Sequence, residues 1–505
     1  MFAPILTASL FGVEARPIRV ESSTSSGLSK FQIVGLPDAA VKEAKDRVWA
    51  ALKNTRLPVP RGHTIVNLAP ASVKKQGTHF DLPIALATLV SRQVIPSQAI
   101  FESFFFGELS LRGEVSKTTG VLPFALCAKQ AGAKRIFVPK DNLPEAQLVD
   151  GLTAVPVCSL KEIVTHLQGE HLIAPAQMCE TTQTPPGWSG DFSHVRGQES
   201  AKRALEIAAA GGHNVLLSGV PGSGKTMLAR ALPTILPPLT KEESLEVTSI
   251  HSVAGTLPND IPYIHTRPFR SPHHSSSAIS IIGGGTWPTP GEVSLAHRGV
   301  LFLDEFPEFP RHVLEHLRQP LEDREVTIAR AAGTFRFPAA FMLVAAMNPC
   351  PCGFATDAQK ECTCTYREQL KYQKKISGPL MDRIDLCVQV GRVKTEELTE
   401  VGNGESSAMI QGRVEGARAR QRNRLEPFGL RTNSELGTAL IEKTITCSPE
   451  AEQLLKKAID KYHLSARAYT RILKLARTIA DLGAEDRIEP NHISEALHFR
   501  QDLMP

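Results

Sequence analysis

The stretch Gly219-Val220-Pro221-Gly222-Ser223-Gly224-Lys225-Thr226 has the spacing G-x-x-x-x-G-K-[ST] of a phosphate-binding loop. Asn214-Val215-Leu216-Leu217 before it predicts a short buried strand, and Met227 to Leu236 after it predicts a helix that a proline pair ends. The glycines let backbone N–H groups turn toward phosphate oxygens, and the helix N-terminus faces the same anion. We expect Lys225 to reach the β- and γ-phosphates of ATP and Thr226 to ligate Mg²⁺.

A second nucleotide-binding motif lies downstream. Val300-Leu301-Phe302-Leu303 is an apolar run that ends in Asp304 and Glu305, and Asp304 lies 79 residues after Lys225. This is the Walker B form, in which Asp304 holds Mg²⁺ and Glu305 polarises the attacking water. An apolar strand followed by Asp-Glu is common by chance, but the phosphate-binding loop upstream makes the assignment strong.

Composition limits the class of protein. The chain has 505 residues, which suggests two to four domains, and a net charge of +5, which permits nucleic-acid binding without arguing for it. Nine cysteines, scattered except for one cluster, suggest a reducing compartment. The N-terminus lacks a basic n-region, and no apolar run approaches the ~20 residues of a membrane-spanning helix. We therefore expect a soluble, cytoplasmic protein without a membrane partner.

The first region, residues 1–168, predicts an α/β domain. Two of its stretches, Thr64 to Lys75 and Phe80 to Ala87, resemble the proteolytic domain of Lon, as does Gly107 to Val115. Lon-type proteolysis needs a serine that a lysine amine activates. The corresponding positions here are His79 and Leu122, so the resemblance implies a Lon-like fold without the Ser/Lys dyad.

The remaining chain divides into three parts. Residues 169–190 are polar and rich in Pro and Gly, which predicts a linker. Residues 191–400 contain both nucleotide motifs, and residues 401–505 predict a basic helical segment followed by a helical lid. The segment around Val195 resembles the one beside the adenine in AAA+ ATPases, although an ordinary capped helix start is an alternative.

Further motifs make the resemblance specific. Arg270-Ser271-Pro272-His273-His274 and Gly291 to Gly299, together with the Lon-like region, resemble the YifB/ComM family of magnesium-chelatase-like AAA+ proteins over nearly the whole chain. The resemblance implies an ATP-hydrolysing homo-hexamer that moves on single-stranded or branched DNA without sequence preference. It also implies branch migration in homologous recombination of incoming DNA, with recombination proteins as candidate partners.

Three single residues follow from this resemblance. Asn348, after the apolar run Phe341 to Ala346, matches sensor 1, whose amide bonds the γ-phosphate or the attacking water. Arg383 resembles an arginine finger, which enters the ATP site of the neighbouring subunit, although a surface ion pair with Asp382 is an alternative. Arg467 resembles sensor 2, which closes over the γ-phosphate from the lid, and Arg471, one turn later on the same helix face, is the alternative.

After Glu305, the stretch Arg311 to Glu322 predicts a helix, and Glu325 to Phe337 predicts a β-hairpin with a turn at Ala331-Ala332-Gly333. Arg330 and Arg336 flank its tip. In the AAA+ subclass that the chain resembles, this hairpin faces the central pore, where positive charge grips the phosphate backbone of DNA. A surface hairpin with solvated arginines is the alternative.

The arginine-rich stretch Arg413 to Arg424 also has two interpretations: it either lines DNA or forms a solvated helix face.

The cysteine cluster has the spacing C-x-C-x9-C-x-C, formed by Cys350, Cys352, Cys362 and Cys364. Four thiolates suit tetrahedral zinc, although paired C-x2-C motifs are commoner. Four reduced cysteines in a loop are the alternative.

The fold class we predict is α/β, with a Lon-like domain, an AAA+ core and a helical lid. A protein-remodelling or chelatase-type ATPase that does not act on DNA is the alternative function.

Overall fold

The elements of the protein fall into two sheet-based regions and a helical C-terminal region. The computed structural model describes residues 4–175, 190–258, 263–330, 333–357, 359–393 and 404–500. Most of the predicted linker, at 176–189, and the hairpin turn at Ala331-Ala332 lie outside these residues. Within the described ranges, no helix is long and apolar enough to cross a membrane.

The first region is built on a mixed sheet of seven strands. The strands of this region, in chain order, are β1 (Ile5–Phe11), β2 (Glu14–Ser25), β3 (Lys30–Val34), β4 (His63–Ala69), β5 (Ser103–Phe105), β6 (Glu108–Leu109), β7 (Val115–Ser116), β8 (Arg135–Pro139) and β9 (Thr153–Val157). Its helices are α1 (Ala39–Asn54), α2 (Asp81–Ser91), α3 (Val121–Gln130), α4 (Leu143–Ala146) and α5 (Leu160–Leu167). The sheet order is β3-β4-β2-β1-β5-β8-β9, and β6 pairs with β7 separately. Helix α2 is apolar on nearly all sides and is therefore buried in the core.

The two positions that correspond to the Lon dyad have packing contacts. His79 is buried, its Nε2 lies 2.9 Å from the carbonyl oxygen of Ala8, and burial lowers the pKa of the ring to about 4. Leu122 is fully buried in an apolar cluster with Phe106 and Phe124. A neutral, hydrogen-bonded imidazole and a leucine do not reproduce a lysine-activated serine.

The second region is built on a parallel sheet of five strands. The strands of this region are β10 (Val215–Gly219), β11 (Phe269–Arg270), β12 (Gly283–Gly284), β13 (Thr289–Pro290), β14 (Val300–Leu303), β15 (Glu325–Arg330), β16 (Gly333–Pro338), β17 (Met342–Met347) and β18 (Leu386–Val390). Its helices are α6 (Glu199–Gly211), α7 (Lys225–Ala231), α8 (Lys241–Ala254), α9 (Ala278–Ile282), α10 (Glu292–Leu295), α11 (Arg311–His316), α12 (Arg318–Asp323), α13 (Tyr366–Gln373) and α14 (Gly378–Met381). The sheet order is β11-β14-β17-β10-β18.

The register of the parallel sheet brings distant segments together. Strands β10 and β14 both pair with β17, and all three are buried, as expected for parallel strands covered on both faces. The segments that follow Gly219, Leu303 and Met347 therefore meet at the carboxyl edge of the sheet. The segments that precede β14, β17 and β18 meet at the opposite, amino edge.

Two helices of this region are shorter than predicted, and a proline explains each difference. The helix predicted from Met227 to Leu236 ends as α7 and continues as a 3-10 turn to Ile235. The helix predicted from Arg311 to Glu322 divides into α11 and α12. Because Pro233 and Pro320 have no N–H to donate to the preceding turn, the α-helical hydrogen bonding is interrupted just before each proline, at Leu232 and at Leu317.

The C-terminal region is helical, as predicted, and two of its arginines bond to other residues of the protein. Arg418 of this region donates to the carbonyl of Ala209 at 2.7 Å, and Arg424 pairs with the buried Asp481 at 2.7 Å. Both residues of the arginine-rich stretch thus attach the first C-terminal helix to its neighbours, which neither interpretation of the sequence anticipated. The helices are α15 (Ser407–Leu425), α16 (Thr438–Thr444), α17 (Pro449–Tyr462), α18 (Ala466–Leu482) and α19 (Pro490–His498). The predicted α/β class with a helical C-terminal region is confirmed.

Contacts between the two sheet-based regions involve both the hairpin β15–β16 and α8. The Phe11 ring, at the end of β1, stacks on Phe335 of β16 with 4.5 Å between ring centroids. The Ser252 hydroxyl of α8 donates to the Glu145 carboxylate, and burial raises the pKa of this carboxyl group. The first region therefore contacts both α8 and the hairpin β15–β16.

Candidate nucleotide-binding site

The phosphate-binding loop joins the carboxyl end of β10 to the first residue of α7. Gly222 and Gly224 have φ angles of 76° and 91°, and a Cβ added to either would meet no atom within 4 Å. The buried hydroxyl of Ser223 has no hydrogen-bond partner among the described residues. The two glycines therefore let the loop curve around open space, and the Ser223 hydroxyl is available for a hydrogen bond. Both properties fit a bound phosphate.

Lys225 is buried beside this loop. Its Nζ lies 2.6 Å from the carbonyl of Gly219, 3.0 Å from that of Val220 and 3.2 Å from Oδ1 of Asn348. Burial lowers the pKa of the amine. The contact with Asn348 places the predicted sensor 1 residue next to the predicted phosphate-binding lysine. Oxygens of neutral groups compensate a buried ammonium only in part, so an anionic phosphate suits this position.

The predicted Mg²⁺ ligands lie together at the same edge of the sheet. The Thr226 hydroxyl donates to Oδ2 of Asp304 at 2.9 Å. Mg²⁺ prefers hydroxyl, carboxylate, phosphate and water oxygens, and these two side chains offer the first two kinds. The residues present therefore fit a nucleotide–Mg²⁺ complex.

Glu305, the predicted catalytic carboxylate, contacts His274, to which the sequence assigned no role in this site. Its side chain is 60% exposed, and its Oε2 lies 3.1 Å from Nδ1 of His274. His274 comes from the loop after β11, which lies beside β14 in the sheet. In the sequence, its signal was its place in the motif Arg270 to His274, which carried the family resemblance but no predicted role in this site. Strand order, rather than sequence distance, brings the two side chains together.

Arg383 and Arg467 lie at the amino edge of the sheet, in a cavity of about 430 Å³ between the strands and the C-terminal helices. Nine basic and four acidic residues line it, and Arg471 is among them. Arg383 is buried and pairs with Glu322, while Arg467 is exposed, with its Nη1 3.7 Å from Oδ2 of Asp382. A five-residue strand such as β10 spans roughly 17 Å. Both arginines are thus on the far side of the sheet from the phosphate-binding loop of their own chain.

Val195, predicted to lie beside the adenine, is buried after a short 3-10 turn that Asp191 caps. It belongs to the same apolar core as Leu217 of β10 and Val390 of β18. Gly219, at the end of β10, leads directly into the phosphate-binding loop. The position of Val195 is compatible with its predicted role, which stays a prediction.

The hairpin β15–β16 has one buried and one exposed face. Phe335 and Phe337 are fully buried, whereas Arg336 points outward and is 72% exposed. Arg330 is exposed and pairs with Gly333 at the end of the hairpin. Arg336 pairs with Thr327 in mid-strand, so only Arg330 lies at the tip. Both charges are nevertheless accessible on the outer surface of the hairpin.

The four clustered cysteines converge in the structure. Their sulfur atoms all lie within 4.8 Å of one another. Three of the separations, among Cys350, Cys352 and Cys362, are 3.3 to 3.6 Å. Sulfurs bound tetrahedrally to one zinc at about 2.3 Å would lie about 3.8 Å apart. With Cys364, the set offers the right ligand number and nearly the right spacing for structural zinc.

Zinc binding is expected to be stoichiometric. Purified protein should contain about one zinc per chain by elemental analysis, and Cys350→Ser/Cys364→Ser should lose it and unfold at a lower temperature. Cys158→Ser, which changes an exposed cysteine of the first region, is the matched control and should keep the metal. A well-folded wild-type protein without zinc would contradict this prediction.

Comparisons with known proteins cover most of the chain. Family models of the magnesium chelatase subunit ChlI match residues 20–142, 191–398 and 404–500. Competence protein ComM of Haemophilus influenzae is 40% identical, with 99% of this chain and 97% of the relative covered. The uncharacterised YifB of Escherichia coli is 40% identical over 98% and 96% of the two chains. An uncharacterised protein of Mycobacterium tuberculosis is 43% identical over 97% of each chain.

Proposed function

This chain belongs to the YifB/ComM family of magnesium-chelatase-like AAA+ ATPases, and we propose that it works as a hexameric, ATP-driven motor on DNA. The proposed substrate is single-stranded or branched DNA of any sequence, and the proposed task is branch migration in recombination of incoming DNA. Recombination proteins are the proposed partners. The observation that carries the proposal is the exposed, arginine-bearing face of hairpin β15–β16 on an ATPase core. The name of the Haemophilus relative, a competence protein, supports a role with incoming DNA.

The position of Arg383 supports a ring. This arginine and Arg467 lie at the amino edge of the sheet, whereas the phosphate-binding loop lies at the carboxyl edge. Neither arginine therefore completes the site of its own chain. We infer that, in a closed ring with heterologous contacts, the amino edge of one subunit faces the carboxyl edge of the next. Both arginines then approach the nucleotide of the neighbour.

The chemistry follows from the side chains at the carboxyl edge. Lys225 and the loop N–H groups hold the phosphates, and Thr226 and Asp304 hold Mg²⁺. When bound, Mg²⁺ would act as a Lewis acid and neutralise charge on the phosphate oxygens. Glu305 accepts a proton from the attacking water, and Asn348 orients that water or the γ-phosphate. Arg383 from the neighbouring subunit stabilises negative charge on the transferred group.

The hairpin supports DNA as the substrate. Its buried face packs on the ATPase core, so Arg330 and Arg336 are held on a supported surface. Guanidinium groups pair well with phosphates, and contacts to phosphates do not distinguish one base sequence from another. Binding should therefore weaken steeply with salt and depend little on sequence.

The proposal is tested by removing the hairpin charges. Arg330→Ala/Arg336→Ala is expected to keep basal ATP hydrolysis while losing most of its stimulation by single-stranded and branched DNA. Branch migration should fall in parallel, and the slope of log affinity against log salt should decrease, because fewer phosphates are neutralised. ATPase rates with and without DNA, together with a strand-exchange assay, measure these effects.

Lys456→Ala/Lys457→Ala removes two exposed positive charges of α17 and is the charge-matched control. It should behave like the wild type. A wild-type ATPase that ignores every form of DNA, with a hairpin variant that is indistinguishable from it, would contradict the proposal. That outcome would favour a protein-remodelling or chelatase-type ATPase with the same nucleotide chemistry.

A further inference from the structure

The turn between β1 and β2 of the first region packs directly on the hairpin β15–β16. Beside the stack of Phe11 on Phe335, a Cβ added to Gly12 would lie 3.0 Å from the carbonyl oxygen of Arg336. A Cβ added to Gly333 would lie 2.9 Å from the Phe11 ring. Phe11 also packs against the apolar cluster of the ATPase core that contains Phe335. These contacts hold the first region against the strand that carries Arg336.

Two exposed cations of the first region border this contact. The guanidinium of Arg16 lies over the Phe11 ring, with 4.0 Å between its Cζ and the ring centroid. The Nζ of Lys74 lies 5.8 Å from the ring centroid of Trp287. The Trp287 ring meets Phe335 edge-on, with 5.1 Å between centroids. The three aromatic rings therefore form one packed cluster, and cations of the first region lie at its edge.

The hairpin arginines belong to the same surface. Arg330 pairs with Gly333, which lies against Phe11, and its Nε donates to the carbonyl of Gly285 at 3.3 Å. Arg336 follows Phe335 in β16 and is exposed. Four cations from the two regions thus surround one aromatic cluster: Arg16, Lys74, Arg330 and Arg336.

Carboxylates of the described residues leave most of this charge unpaired. Within the described ranges, neither Arg16 nor Lys74 forms an ion pair with an acidic side chain. The Nε of Arg336 lies 4.0 Å from Oε1 of Glu325, which is a long separation for an ion pair. Like charges that lie close together repel one another, so this arrangement favours an anion that extends across all of them.

We propose that the first region extends the DNA-binding surface of the hairpin, with Arg16 and Lys74 contacting phosphates next to those that Arg330 and Arg336 hold. The phosphate backbone is a continuous row of negative charge, so it matches a row of cations that two regions share. The Lon-like region, which lacks the Ser/Lys dyad, thereby acquires a role in DNA binding. The inference rests on the proposed function, because it takes DNA as the ligand of the hairpin.

The test measures DNA affinity as a function of salt. Arg16→Ala/Lys74→Ala is expected to weaken binding of a fluorescently labelled single strand about three- to tenfold at about 0.1 M salt. The slope of log affinity against log salt should become shallower by about 1.4, the value for two lost phosphate contacts on single-stranded DNA. Fluorescence anisotropy of the full-length protein measures both quantities.

Two further variants serve as controls. Lys42→Ala/Lys45→Ala removes two exposed lysines of α1 in the same region and should keep the affinity and the slope of the wild type. Arg16→Lys/Lys74→Arg keeps both charges while changing the packing on Phe11 and Trp287, and it should also bind like the wild type. A merely structural role of these side chains would instead make the charge-keeping variant bind less well.

The possible failures are distinguishable. If Arg330→Ala/Arg336→Ala loses DNA affinity while Arg16→Ala/Lys74→Ala keeps the affinity and the slope of the wild type, the inference is overturned and the proposed function stands. If the wild type binds no form of DNA, the proposed function itself fails. Weaker binding of poly-glutamate by Arg16→Ala/Lys74→Ala, with unchanged DNA binding, would identify an acidic protein as the ligand of these cations and would also overturn the inference.

Discussion

Lys225→Ala is expected to lose nearly all affinity for ATP. The lysine Nζ lies within 3.2 Å of Gly219, Val220 and Asn348, in the centre of the phosphate-binding loop. A hydrogen bond to a charged group contributes about 1.5–3 kcal/mol, so loss of two such bonds to phosphates weakens binding by roughly a hundredfold or more. Titration with a fluorescent nucleotide measures the loss, and Lys371→Ala, an exposed lysine of α13, is the control.

Glu305→Gln is expected to separate binding from hydrolysis. The amide cannot take a proton from water, but the Thr226–Asp304 pair, 2.9 Å apart, is untouched. Nucleotide affinity should therefore stay near that of the wild type, while single-turnover hydrolysis falls by about two to four orders of magnitude. Hydrolysis at the wild-type rate would show that another residue is the general base.

Mixing two inactive variants is expected to restore ATPase activity. Arg383→Ala subunits keep an intact phosphate-binding loop, and Lys225→Ala subunits keep an intact arginine at the amino edge. If Arg383 acts on the neighbouring nucleotide, about a quarter of the interfaces in a randomly mixed ring combine both intact parts. The rate should therefore rise well above that of either variant alone, and the rise should require assembly into rings.

The control for this experiment mixes Lys225→Ala with the double variant Lys225→Ala/Arg383→Ala, which should restore nothing. Because Arg383 is buried and pairs with Glu322, thermal unfolding must show that Arg383→Ala folds normally. Activity of Arg383→Ala as a monomer, or no recovery in mixed rings, would contradict the assignment of Arg383 as a finger.

The family and the fold class could be predicted because their signals are local. In the phosphate-binding loop, the glycines, the lysine and the threonine are contiguous, and their backbone geometry follows from residue type. The α/β class and the family membership are confirmed. The helix ends near Pro233 and Pro320 were predicted less well, since an apolar pattern continued through both prolines. The roles of the single site residues stay predictions.

By itself, the sequence predicted which residues bind phosphate, Mg²⁺ and zinc. The phosphate and zinc sets are each dense within a short stretch of chain, and the Mg²⁺ ligands Thr226 and Asp304 each belong to a recognisable nucleotide motif. Only the tertiary structure decided which of them face each other. The order β11-β14-β17-β10-β18 brings His274 to Glu305 and Asn348 to Lys225. Because β10 and β18 are neighbouring parallel strands, Arg383, which precedes β18, lies at the opposite edge of the sheet from the phosphate-binding loop, which follows β10. Strand order depends on packing between segments far apart in the chain, and no local pattern of residues encodes it.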